Sequence, residues 1–158
     1  MLTSTNWISI IGILINSGLA IWIVKTIQNK LKNKRTLKDH FINEIKEIRS
    51  EYKTCLNNLY SNQTKPRKVI PWFKLMNVKV DDLMSLISSK YKKVERNFLN
   101  PYQIELRELI TENKDFISKF ESDDTLNFSE NAKSQIIIFQ QKHNHLFNEA
   151  IILINDAE

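Results

Sequence analysis

An uncharged apolar run near the N-terminus constrains the fold more than any other feature of this sequence. The run extends from Trp7 to Val24 (WISIIGILINSGLAIWIV) and contains no Asp, Glu, Lys or Arg. An α-helix rises about 1.5 Å per residue, and about 20 mostly apolar residues cross the hydrocarbon of a bilayer. The run therefore predicts a transmembrane anchor over residues 1–24, with Trp7 and Trp22 at the two membrane interfaces.

The charge that follows the apolar run predicts the orientation of this anchor. Six basic residues and no acidic residue lie directly after it: Lys25, Lys30, Lys32, Lys34, Arg35 and Lys38. Because basic flanking residues stay on the cytoplasmic side of a membrane, the N-terminus should face outward. We therefore expect a single-pass protein of the inner membrane with a cytoplasmic C-terminal domain.

Small and polar residues form one stripe along the predicted anchor. The stripe consists of Ser9, Gly12, Asn16 and Ala20, which are spaced by three, four and four positions. Small residues let membrane helices approach closely, and an Asn at mid-membrane seeks a hydrogen-bonding partner. The stripe predicts self-association into a homo-oligomer, in which Asn16 lines a narrow pore. The other interpretation is an isolated anchor that tolerates one Asn.

The remainder of the chain predicts an all-α fold. Only 2 Gly and 3 Pro occur in 158 residues, so long helices with few turns are expected. From Phe41 to Leu59, apolar residues alternate in steps of four and three, as on a packed helix. We predict that the anchor continues as a basic stalk helix over residues 25–60. This stalk would enter a cytoplasmic bundle of about four helices, completed by residues 61–158.

Proline and capping residues suggest where the later helices begin. We expect a loop over 61–70, a second helix over 71–98 with Pro71 in its first turn, and a third over 100–120. Asn100 is the predicted cap of the third helix. Asn127, followed by Glu130, is the predicted cap of a fourth helix that ends near Asn155.

Two groups of basic residues are candidates for binding an anion. The candidate residues are Lys34, Arg35, Lys38, Lys65, Arg67 and Lys68. Lys34 and Lys38 continue the apolar seam of the stalk, so a parallel oligomer would stack them as rings of positive charge that require an anion. Lys65, Arg67 and Lys68 lie near Trp72, a combination that suits phosphates and bases of a nucleotide or single-stranded nucleic acid. Attraction to anionic lipid headgroups explains both groups equally well.

No residue pattern in the sequence indicates catalysis. Cys55 is the only cysteine, and both glycines lie in the predicted anchor, so neither a cysteine zinc site nor a glycine-rich phosphate loop can form. His143 lies on an apolar helical seam and is predicted to be a packed core residue. We expect a protein that is not an enzyme and that has no metal and no cofactor.

Two classes of function remain after these exclusions. In the first, assembled anchors form a pore or disrupt the bilayer under the control of a cytoplasmic domain that binds an anionic ligand. In the second, the anchor only tethers a helical adaptor that binds a protein partner, and there is no pore. The stripe from Ser9 to Ala20 and the basic seam at Lys34 and Lys38 favour the first class.

In its architecture, through residues 7–24 and the basic stretch 25–38, the chain resembles small single-pass effectors of bacterial antiphage systems. That resemblance implies a role in antiviral defence and an ion-channel-like homo-oligomer. It also implies control by a nucleotide or oligonucleotide and a protein partner from the same system. The sequence contains no recognised nucleotide-sensor motif that would identify the ligand.

Overall fold

A computed structural model describes the backbone of residues 4–157 and the side chains of residues 17–157. Within that part of the chain every regular element is an α-helix, which confirms the predicted all-α class. The five helices are α1 (Ser4–Tyr60), α2 (Pro66–Lys90), α3 (Asn100–Thr111), α4 (Lys114–Lys119) and α5 (Glu130–Asn155).

The chain divides into two compact units. The N-terminal unit comprises Met1–Asp39, and the helical domain comprises His40–Glu158. Residues of α1 belong to both units, because this helix begins at Ser4 and ends at Tyr60. The helical domain contains the C-terminal part of α1 together with α2 to α5.

The apolar seam of α1 forms one wall of the core in the helical domain. Phe41, Ile45, Ile48, Tyr52 and Leu59 are all buried, as the steps of four and three predict. Leu56 is also buried and Cys55 is only half-buried, so the seam passes through Leu56 rather than through Cys55.

The second helix begins five residues earlier than predicted. Pro66 occupies its first turn, where its fixed φ angle suits a helix and its missing N–H costs nothing. Pro71, which we predicted to start this helix, lies inside it instead. Val69 is buried, and its spacing from Phe73 continues the seam backward to Pro66. This burial extends the helix across residues 66–70 of the predicted loop, whereas residues 61–65 are not helical.

The end of the second helix was also predicted incorrectly. The helix stops at Lys90, and residues 91–99 form a succession of turns. Backbone hydrogen bonds three residues apart, such as Val94 N–H to the Tyr91 carbonyl, replace the helical ladder. Tyr91 and Val94 remain buried beyond the end of the helix. Their apolar spacing continues that of the helix, and for this reason the sequence pattern predicted a longer helix.

The predicted third helix is divided into α3 and α4. Asn113 caps α4, because its Oδ1 atom accepts a hydrogen bond from the Asp115 N–H at 2.9 Å. This local bond competes with helix continuation and ends α3 at Thr111. Asn100 lies within the first turn of α3 and does not cap it, since Leu99 occupies the cap position without a side-chain bond.

The last helix ends at Asn155, as predicted, but it begins after a different cap. Ser129 occupies the cap position, and its Oγ atom accepts a hydrogen bond from the Ala132 N–H at 3.4 Å. Asn127, the predicted cap, lies two residues earlier.

An aromatic cluster occupies the centre of the helical domain. Tyr102 of α3 lies with its ring centroid 5.0 Å from Tyr52, 5.1 Å from Phe139 and 4.9 Å from Phe147. These rings come from α1, α3 and α5, so burial of the cluster requires the three helices to be together. The helical bundle is therefore held by one shared core.

The predicted anchor lies only partly in the region whose side chains are described. Residues 1–16 of the predicted anchor are outside that region. Among the residues that were described, no helical segment combines the length and apolar character needed to cross a membrane.

Candidate functional site

Three of the four residues of the predicted self-association stripe lie outside the described side chains. These are Ser9, Gly12 and Asn16. Ala20, the fourth, is exposed on α1.

The described end of the apolar run is exposed on every side of α1. Ile21, Trp22, Ile23 and Val24 are four consecutive residues with exposed fractions of 69, 66, 43 and 52%. Consecutive helical residues are rotated by about 100°, so these four side chains surround the helix. Leu19 is 51% exposed as well. A continuous apolar surface of this kind is typical of a segment that binds a membrane or another protein.

The basic seam of the N-terminal unit is largely exposed to solvent. Lys34 and Arg35 are exposed, and Lys38 is half-buried. Arg35 forms an ion pair with Asp39 four residues later, at 4.0 Å between Nε and Oδ2. Such an exposed pair contributes little to stability. Ile27 and Leu31, the apolar positions before this seam, are 53 and 62% exposed.

The second basic group lies at the start of α2, in the helical domain. Lys65 and Lys68 are exposed. Arg67 lies 3.2 Å from an Asp123 carboxylate oxygen and donates a 2.9 Å hydrogen bond to the Glu121 carbonyl. The two predicted basic groups therefore belong to different compact units, and Arg67 holds the segment around Glu121 against α2.

Two further basic residues of the helical domain, Lys79 and Arg96, have structural partners. Lys79 joins α2 to α1 through Glu47 at 2.9 Å and Glu51 at 2.5 Å. These hydrogen bonds raise the pKa of Lys79, and the bond from Lys79 lowers the pKa of Glu47. Arg96 forms two hydrogen bonds with the carboxylate of Asp81. Both residues position helices and turns of the domain.

Two buried polar residues of the domain, His143 and Gln103, are paired with residues distant in sequence. His143 is buried, as predicted, and one ring nitrogen lies 2.8 Å from a Glu105 carboxylate oxygen. A hydrogen bond from Lys142, which has the larger effect, and a hydrogen bond from His143 both lower the pKa of Glu105. Gln103 donates a 3.2 Å hydrogen bond to the Tyr52 hydroxyl, and burial raises the pKa of that hydroxyl to about 12.

Cys55 is a weakly reactive thiol in this fold. Burial raises its pKa to about 12, so very little thiolate exists at neutral pH.

A polar groove between α1 and α5 was not anticipated from the sequence. We call it the Arg49 groove; it has a volume of about 270 Å³ and is lined by Arg49, Lys53, Asn57, Tyr102, Gln140, Gln141, Asn144 and Phe147. Arg49, Lys53 and Asn57 are spaced by four residues, so they share one face of α1. In the sequence, only the carboxamide residues Gln140, Gln141 and Asn144 of α5 indicate this groove. The sequence does not reveal which helix they face.

Comparison with known proteins adds no relative from which a function could be transferred. Neither a protein-family model, nor a curated protein, nor a solved structure matches this chain.

Proposed function

We propose that this chain is a single-pass membrane effector controlled by its helical domain. The observation that carries the proposal is the apolar surface around Ile21–Val24, which is exposed on all sides of α1. Leaving such a surface in water is unfavourable by roughly 25 cal/mol per Å² of apolar area, and insertion into a bilayer removes that cost. The uncharged run from Trp7 to Val24 then supplies the anchor.

The basic residues after the anchor support one orientation. Lys25, Lys30 and Lys32 are exposed directly after the apolar surface. Each Lys or Arg near an anionic membrane surface gains about 1 kcal/mol. We place these residues, and with them the helical domain, on the cytoplasmic side of the inner membrane.

The proposed output is permeation of the bilayer by an assembly of anchors. Asn16 lies in the middle of the uncharged run, where a polar side chain facing lipid is costly. Contact between copies of the Ser9–Ala20 stripe would satisfy Asn16 and build a polar lining. We further propose that an anionic ligand controls this permeation and that the chain acts in an antiphage system. The architectural resemblance and the basic segments support this part of the proposal.

Replacing Asn16 by Leu should abolish membrane depolarisation caused by the chain. The measurement is the fluorescence of a potential-sensitive dye after induced expression in bacterial cells. Asn29→Leu is the matched control, because Asn29 is exposed on the same helix beyond the apolar run. We expect wild type and Asn29→Leu to depolarise the cells, and Asn16→Leu to leave the potential unchanged. Equal depolarisation by all three proteins would contradict the pore.

A tethered adaptor is the second candidate function. One face of α2 exposes Leu75, Val78 and Leu86, with exposed fractions of 68, 58 and 60%. Their spacing places them on one side of the helix, as in surfaces that bind another helix. Exchange of residues 1–24 for an unrelated anchor separates the two candidates. An adaptor keeps its function after this exchange, whereas the proposed effector loses it.

A further inference from the structure

Arg49 carries hydrogen-bond donors that the helical domain does not use. A guanidinium has five N–H donors. One terminal nitrogen of Arg49 donates to Asn148 Oδ1 at 2.8 Å, and the other donates to Asn144 Oδ1 at 2.5 Å. The Nε atom is buried and has no hydrogen-bond partner. Arg49 is therefore fixed by two neutral amides, and these two bonds leave one further N–H on each of its terminal nitrogens unused.

The charge of the Arg49 groove is not balanced by its lining. Two of the lining residues, Arg49 and Lys53, are cationic, and the described lining contains no carboxylate. Elsewhere in the domain, Lys79, Arg67 and Arg96 each face a carboxylate. An unneutralised positive charge that is partly withdrawn from water attracts an anion more strongly than an exposed lysine does.

The remaining lining residues indicate the kind of anion. Asn57, Gln140, Gln141 and Asn144 carry carboxamides, each with an NH₂ group that can donate to an anionic oxygen. A phosphate has three terminal oxygens and up to two negative charges, and so it matches two cations and several donors better than a carboxylate does. A volume of about 270 Å³ admits a small molecule and not a folded partner.

We propose that the Arg49 groove binds the phosphate group of a small organic phosphate. Arg49, Lys53 and carboxamide NH₂ groups of the lining contact the phosphate oxygens. This inference rests on the proposed function, because it identifies the site at which the helical domain receives its anionic ligand. The site is distinct from the basic groups at Lys34 and Lys65.

Direct binding to the full-length protein in detergent tests this proposal. Calorimetric titrations would use adenosine monophosphate, glycerol 3-phosphate, inorganic phosphate, acetate and uncharged adenosine. We expect saturable binding of the phosphates, and much weaker binding of acetate and adenosine. Tighter binding of adenosine monophosphate than of glycerol 3-phosphate indicates a nucleotide, whereas equal binding indicates recognition of the phosphate alone, as on a lipid headgroup.

Variants on one helix locate the site. Lys53→Gln, at an exposed position, and Arg49→Gln should each weaken phosphate binding about ten- to a hundredfold, as expected for lost bonds from a charged donor. Lys46→Gln is the control, because Lys46 is exposed on α1 outside the groove. Phosphate binding that is absent in the wild type, or unchanged by Lys53→Gln, overturns the proposal.

The outcome also separates this inference from the proposed membrane function. If the wild type depolarises cells but binds none of the phosphates, the Arg49 site is refuted and the effector remains. If the phosphates bind with the expected variant effects but the wild type never depolarises cells, the site stands and the pore is refuted.

Discussion

Tyr102→Ala is expected to destabilise the helical domain by about 3–5 kcal/mol, the cost of truncating a large aromatic residue in a core. Tyr102 is 5% exposed, and its ring contacts those of Tyr52, Phe139 and Phe147 on two other helices. Alanine would leave a cavity where α1, α3 and α5 meet. Typical domains are stable by about 5–15 kcal/mol, so this substitution removes a large part of the total.

Tyr60→Ala is the matched control for this prediction. Tyr60 is 45% exposed at the end of α1, where Lys133 lies 5.5 Å from its ring centroid. Loss of that cation–π contact should cost about 0.5–1 kcal/mol. The measurement is thermal unfolding of the full chain in detergent, followed by near-ultraviolet circular dichroism. Similar losses for the two variants would mean that the aromatic cluster is not the centre of the core.

Ile15→Arg is expected to remove most of the protein from the membrane. Ile15 lies at the centre of the uncharged run from Trp7 to Val24. An Arg near the centre of a transmembrane helix opposes insertion by about 2.5–3.5 kcal/mol, which shifts the insertion equilibrium by on the order of a hundredfold. Fractionation of cells followed by alkaline extraction of the membranes measures the inserted share.

Leu31→Arg provides the control for membrane insertion. Leu31 is 62% exposed on the same helix but lies among the basic residues after the run. Another positive charge there adds to the attraction of the inner leaflet, so membrane retention should be unchanged. Equal loss of both variants from the membrane would indicate a general folding defect and not failure of an anchor.

The buried face of α1 could be predicted from the sequence because burial of this face follows helical periodicity. Phe41, Ile45 and Ile48 repeat in steps of four and three, and all three are in the core. Helix boundaries were less predictable, because they depend on local competition. Asn113 ends one helix and begins another through a single side-chain bond, and Pro66 rather than Pro71 occupies the first turn of α2.

Contacts between helices could not be read from the sequence at all. His143 was predicted to be buried, but its partner Glu105 lies 38 residues away on α3. The Arg49 groove is a stronger case, since it exists only because α1 and α5 place polar faces side by side. Periodicity identifies which residues share one face of a helix, whereas the pairing of faces depends on the complete packing of the domain.

The membrane topology of the chain tests the proposed anchor, and it can be measured with single cysteines. In a Cys55→Ala background, Thr3→Cys and Ser61→Cys would be exposed in turn to a membrane-impermeant maleimide in bacterial spheroplasts. We expect labelling at position 3 in intact spheroplasts, and labelling at position 61 only after the membrane is permeabilised. Labelling of both positions only after permeabilisation, with the protein in the soluble fraction, would contradict a transmembrane anchor.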